Sequence, residues 1–110
     1  MERSIAERIT SDLADGKRVM IVGQTLREAN AAFREALIDG ADTIRWTHNE
    51  PRANYPNGAV LDARSANSRG YRGMNIDTVV LLSSDSISPD AYASIVPFVA
   101  ASASGEIIAA

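Results

Sequence analysis

Apolar positions along the chain follow different periods in different stretches, and each change of period marks an element. Ile5, Ile9 and Leu13 recur at every fourth residue with Arg3, Glu7, Arg8, Ser11 and Asp12 between them, the stripe of an amphipathic helix. Gly16 is placed to end that helix. Arg18-Val19-Met20-Ile21-Val22 is then a nearly unbroken apolar run rich in β-branched residues, which predicts a central parallel strand buried on both faces. Gly23-Gln24 makes a turn. Thr25 and Glu28 have the spacing of a capping box, opening a helix that carries Leu26, Ala29, Ala32 or Phe33, Ala36 and Leu37 on one face and closes at Gly40.

The middle of the chain alternates instead. Thr43-Ile44-Arg45-Trp46-Thr47 and Ala59-Val60-Leu61-Asp62-Ala63-Arg64 both switch between apolar and polar, as half-exposed strands do. Asn49, Pro51, Asn54, Pro56, Asn57 and Gly58 lie between them and predict turn or loop, so the two strands read as an antiparallel hairpin with a long tip. Ser65 to Gly73 is polar, basic and glycine-containing, a loop.

Ile76 to Leu82 is a second buried strand that runs into Ser83-Ser84-Asp85-Ser86. Polar residues at the carboxyl end of a central strand stand where open α/β sheets place ligands. Ser88, Pro89 and Asp90 supply a cap, a first-turn proline and a first-turn acid for a helix through Ala91, Ile95, Phe98 and Val99, which Pro97 should kink. Gly105 breaks it, and Glu106-Ile107-Ile108-Ala109 is a short final strand. The whole reads as one α/β domain over residues 1–110.

Composition narrows the chemistry. A chain of 110 residues can bury one core, and 45% apolar with 23% charged residues is ordinary globular usage. The absence of cysteine excludes disulfides, thiolate metal sites and a thiol nucleophile. No apolar run approaches the roughly 18 to 20 residues needed to cross a bilayer, and the amphipathic start is unlike a secretory signal. A cytoplasmic location without membrane contact is therefore expected. The net charge of −3 speaks against a strong general nucleic-acid binder, but it is unevenly spread: Arg45 to Gly73 holds five Arg against Glu50 and Asp62, net +3, leaving −6 elsewhere.

The order of motifs resembles the ATPase core of phage large terminases and, more distantly, RecA-like helicase domains. Gly16, Val19, Val22, Thr25, Ala29 and Phe33 occupy the places of a family pattern for a strand and its following helix. The run from Asn57-Gly58 through Arg64-Ser65-Ala66 is similar to a family hairpin and strand, and Ser68 to Gly73 to a basic loop before an apolar strand. The stretch through Pro97 and Ile107-Ile108 is similar to the family's region after its acidic motif. The resemblance implies a small three-layer RecA-like sheet of the P-loop NTPase type, with helices on its faces and an antiparallel hairpin.

Two departures from that family bear on activity. A phosphate loop needs glycines that turn backbone N–H groups toward phosphate, together with a lysine and a hydroxyl. Gly16-Lys17 lacks the glycine spacing and the following Ser or Thr, and falls in the turn before the first strand. The family's acidic pair, which holds Mg²⁺ and activates water, is replaced at the degenerate Walker B position by Ser83 and Ser84, with Asp85 next. The resemblance thus implies a pseudo-ATPase with no cofactor and no catalytic residue.

Other candidate chemistry is thin. His48, the only histidine, sits at the hairpin tip, where solvation is its ordinary state. A triad of Ser83 or Ser84 with His48 and Asp85 lacks the G-x-S-x-G elbow. Asp62, Asp77 and Asp85 could form a carboxylate cluster, but Asp62 reads as the solvent face of a strand and Asp77 as a strand edge.

The arginines carry more. Arg45, Arg52, Arg64, Arg69 and Arg72 could share one face and meet phosphate bidentately, with Trp46 and Tyr71 stacking on bases or sugars. Alternatively they are solvated or paired with Asp62 and Glu50, while Trp46 packs in the core. Weak, salt-sensitive binding of duplex or single-stranded DNA is the leading expectation. A protein-interaction or regulatory module, self-associating or binding a partner through an exposed sheet edge, is the alternative. An enzyme of unrecognised type, working from a pocket at Ser83 to Ser86, comes third.

Overall fold

A computed structural model describes residues 2–47, 50–65, 76–82, 89 and 105–109. The chain runs α1 (Arg3–Ala14), β1 (Arg18–Gly23), α2 (Leu26–Ala36), β2 (Thr43–Thr47), β3 (Glu50–Asn54), β4 (Val60–Ser65), β5 (Thr78–Leu81) and β6 (Glu106–Ala109). The strands form one six-stranded sheet in the order β2-β3-β4-β1-β5-β6. β1 lies parallel to β4 and β5, and β5 parallel to β6, whereas β3 is antiparallel to both of its neighbours. The architecture is mixed α/β, with the apolar run of β1 central and parallel.

The expected hairpin needs correction. Glu50–Asn54 is a strand and not loop, and it separates the two alternating segments, pairing with β2 on one side and β4 on the other. Pro51 is tolerated because β4 pairs only with Arg52, Ala53 and Asn54, so the residue without an N–H falls outside that ladder. β4 also extends through Ser65. Of the helix expected from Ser88, only Pro89 is among the described residues, and it is helical.

α1 and α2 share one side of the sheet. Ile5, Ile9 and Leu13 of α1 and Ala29, Ala32, Phe33 and Ala36 of α2 join Val19, Ile21, Leu61, Ala63 and Val80 in one buried cluster. Small alanines let α2 approach the sheet closely, and Phe33 fills the remaining volume; truncating it to alanine would cost about 3–5 kcal/mol. By strand alternation Met20, Val22, Val79 and Leu81 point to the opposite side, and they too are buried. Burial of both faces is what a parallel sheet requires.

Local chemistry fixes the connections. Thr25 Oγ1 accepts the Glu28 N–H at 3.2 Å while Glu28 reaches back to Gln24 N at 3.3 Å, a capping box displaced by one residue. Gly23 lies so close to α2 that a Cβ there would stand 2.8 Å from the Ala29 nitrogen. Gly16 has φ +77°, the left-handed conformation that ends α1. α2 stops at Ala36, ahead of Gly40, and beyond it the Tyr55 hydroxyl accepts from Ile38 N and donates to Ile38 O. Asn57, in the β3–β4 turn, donates to the Leu13 and Ala14 carbonyls at 2.9 and 3.3 Å, adding to the backbone N–H groups that Ser11, Asp12 and Leu13 at the end of α1 already accept.

Asp12, assigned above to the polar flank of α1, is buried. Its carboxylate accepts from Arg8 Nε at 3.1 Å and from the Thr78 hydroxyl at 2.8 Å, with Lys17 Nζ 3.8 Å away. Arg8 also bonds Glu106 on β6. This hydrogen bond and charge hold the Glu106 carboxyl below its ordinary range. Lys17, the residue nearest in kind to a phosphate-loop lysine, is thus engaged with α1. Among the described residues no helix is long and apolar enough to cross a membrane.

Candidate binding surface on the outer strands

The registers align one residue from every strand into a row across the sheet: Arg45, Arg52, Asp62, Met20, Val79 and Ile107. Residues that face each other across strands lie on the same side, so Arg45, Arg52 and Asp62 share the face opposite the helices. Arg64, two residues beyond Asp62, lies there as well. Three of the five arginines are therefore brought to one face. Arg69, Arg72 and Tyr71 lie outside the described residues, as do His48, Ser83, Ser84 and Asp85.

The three arginines are not equivalent. Asp62 is only 1% exposed, which overturns its reading as a solvent-facing strand residue. Arg64 is half-buried beside it, with Nε 3.5 Å from Asp62 Oδ1. Burial pushes the Asp62 carboxyl above its ordinary value, and the charges of Arg64 and Arg52 oppose that rise. Removing a carboxylate from water is costly unless a cation compensates it. Arg64 is committed to that compensation.

Arg45 and Arg52 are exposed, and among the described residues neither forms an ion pair. They stand directly opposite each other across the β2–β3 ladder. Like charges in that arrangement repel and destabilise the pair. Asp62, next in the row, offsets the repulsion only on the Arg52 side.

Trp46 belongs to the other face. Its ring meets Phe33 of α2 edge-on, with centroids 6.0 Å apart and planes at 68°. The Arg34 guanidinium lies over the indole, 5.7 Å from the ring centroid. Trp46 is nevertheless 48% exposed and Ile44, two residues earlier, 45% exposed. The tryptophan is thus neither packed in the core nor placed to stack beside Arg45 and Arg52.

Both apolar residues lie on β2, which ends the sheet and whose outer backbone edge is unpaired among the described residues. Thr43, Ile44, Arg45 and Trp46 are all exposed, although Trp46 keeps its contacts with Phe33 and Arg34 on the helix side. Natural edge strands are normally protected by charge, brevity or covering elements. Here one cation, Arg45, sits between two large exposed apolar side chains. Ile44 and Arg34 were not singled out from the sequence. The signal for Ile44 was its two-residue spacing from Trp46, which places both on one side of any strand. Arg34 is a contact of tertiary packing.

The described residues hold no group of three or more His, Asp or Glu side chains able to bind a metal. Compared with known proteins, the chain matches no family model, no curated protein and no solved structure.

Proposed function

We propose that this chain is a non-catalytic interaction domain, RecA-like in descent, that takes a protein partner along the outer edge of β2. The observation that carries the reading is an edge strand, unpaired on its outer side among the described residues, with Ile44 and Trp46 exposed side by side on one face. An extended segment added to such an edge gains main-chain hydrogen bonds, and side-chain contacts give it selectivity. The descent is supported by the parallel run β4-β1-β5-β6 preceded by antiparallel strands, and by the motif order in the sequence. The absence of nucleotide chemistry rests on the residues at 16–17 and 83–84, which lack the phosphate-loop and acidic groups. The phage setting and a cytoplasmic site of action belong to the same reading.

Selection of displayed peptides against the immobilised domain tests it. Strand-forming sequences should be enriched, and their binding should be lost in Trp46→Lys. No enrichment, or enriched peptides that bind Trp46→Lys equally well, would overturn the reading.

A second reading has its own observation: Arg45 and Arg52, exposed and opposed across β2–β3, would have their repulsion relieved by a phosphate between them. In this reading the domain binds DNA weakly through that face. Titration of labelled duplex and single strands at two salt concentrations tests it. Arg45→Ala with Arg52→Ala should weaken binding to all sequences alike and make the salt slope shallower by about two phosphate contacts. Binding unaffected by the double substitution would exclude this face.

A further inference from the structure

Resting on the edge-strand reading, we propose that the occupant of the β2 edge is an extended segment of another protein in which acidic and apolar side chains alternate. The two faces of β2 differ in chemistry: Ile44 and Trp46 stand exposed on the helix side, and Arg45 with its neighbour Arg52 on the other. Side chains on an added strand also alternate between faces and lie about 4.5–5.5 Å, Cβ to Cβ, from those they oppose. The residue facing Arg45 is thereby adjacent to its guanidinium, with that of Arg52 one strand farther along the same row, and neither forms an ion pair among the described residues. A carboxylate there attracts Arg45 and offsets its repulsion from Arg52. The residues on either side of it meet Ile44 and Trp46, where an apolar side chain removes more surface from water than a polar one. The selected pattern is apolar, acidic, apolar.

A second copy of the chain fits this edge poorly. Two β2 strands paired antiparallel about their centres would place Arg45 opposite the second copy's Arg45, with an Arg52 on each flank, so that one row would be wholly cationic. Sliding by two residues avoids that clash but gives up paired positions on a strand only five residues long. Charge complementarity therefore selects an acidic partner over self-association.

Trp46 is the only tryptophan, so its emission reports directly on the site. Three short capped peptides serve as probes: one alternating valine with glutamate, one alternating valine with lysine, and the glutamate peptide N-methylated on alternate amides to block strand pairing. The glutamate peptide should shift Trp46 emission to shorter wavelength and bind about tenfold more tightly than the lysine peptide. The N-methylated peptide should not bind. Arg45→Glu should reverse the preference in favour of lysine, a result that loss of folding cannot imitate.

Equal binding of the glutamate and lysine peptides to wild type would overturn the acidic-partner inference while leaving the edge reading intact. Failure of every peptide to shift Trp46 would overturn both. An emission shift produced by an oligonucleotide and by no peptide would assign the surface to nucleic acid. A concentration-dependent dimer abolished by Trp46→Lys would assign the edge to a second copy.

Discussion

Thr78 on β5 donates its hydroxyl to the carboxylate of Asp12 on α1 across 2.8 Å, and both residues are buried. This one bond crosses from the first helix to a central strand. It satisfies a carboxylate that also faces Arg8 and Lys17. Replacement by valine keeps the shape and removes the donor. Thr78→Val should destabilise the domain by about 1–3 kcal/mol, because a buried acceptor loses a partner. Urea unfolding measures it, and an unchanged midpoint would show that the bond contributes nothing.

Asp62 gives a pH dependence of defined sign. Its folded carboxyl is raised above the ordinary value of 3.8, chiefly by burial. The folded state then holds the proton more firmly than the unfolded chain does, so this group's contribution is fully present below pH 3.8 and is lost as pH rises through the folded value. The stability of wild type relative to Asp62→Asn should accordingly fall as pH is raised from 4 toward neutrality, apart from a constant offset due to Arg64. Unfolding free energies of both proteins across that range supply the check. A difference that stays flat or grows would contradict a raised carboxyl.

Gly23 is fixed by distance. A methyl group there would lie 2.8 Å from the backbone nitrogen of Ala29 and 3.0 Å from the Thr25 carbonyl oxygen. Neither is the end of a flexible side chain. Gly23→Ala should force β1 and α2 apart at a cost of about 1–3 kcal/mol, visible as a lowered thermal midpoint. A neutral or stabilising outcome would mean that the α2 N-terminus yields easily.

Arg45 should act in the opposite direction. Removing its charge with Arg45→Thr relieves the repulsion from Arg52 and substitutes a residue suited to strands. A gain of about 0.2–1 kcal/mol is expected at low ionic strength, shrinking as salt screens the pair. Destabilisation at low salt would show that Arg45 has an attractive partner in the folded domain.

The sequence made legible what depends on local periodicity. The stripe Ile5, Ile9, Leu13, the apolar run from Val19 to Val22, the Thr25 cap and the closing strand at Glu106–Ala109 all form as their spacing predicts. Glu50–Asn54 reads as loop in the sequence because Pro51 and Asn54 are turn residues by local preference, yet it is a strand. Strand pairing on both sides of β3 overrides that preference, and Pro51 survives by falling beyond the span paired with β4. Asn57, read only as a turn former, also caps a helix more than forty residues earlier. No local pattern could reveal that.

By itself, the sequence determined α1, β1, α2 and β6 and the buried character of β1, because these follow from residue type and short-range spacing. Tertiary structure decided which charges are available and which are committed. Asp12 and Asp62 look solvent-facing in one dimension, yet Asp12 is buried where α1 packs on the sheet and Asp62 where β4 is set between β1 and β3. Arg64 is drawn to Asp62, whereas Arg45 and Arg52 are left exposed. Trp46 is parted from them by the alternation of a strand whose outer edge only the sheet order could reveal. Burial and cross-strand register are properties of chain segments in combination, and the candidate surface is written in them.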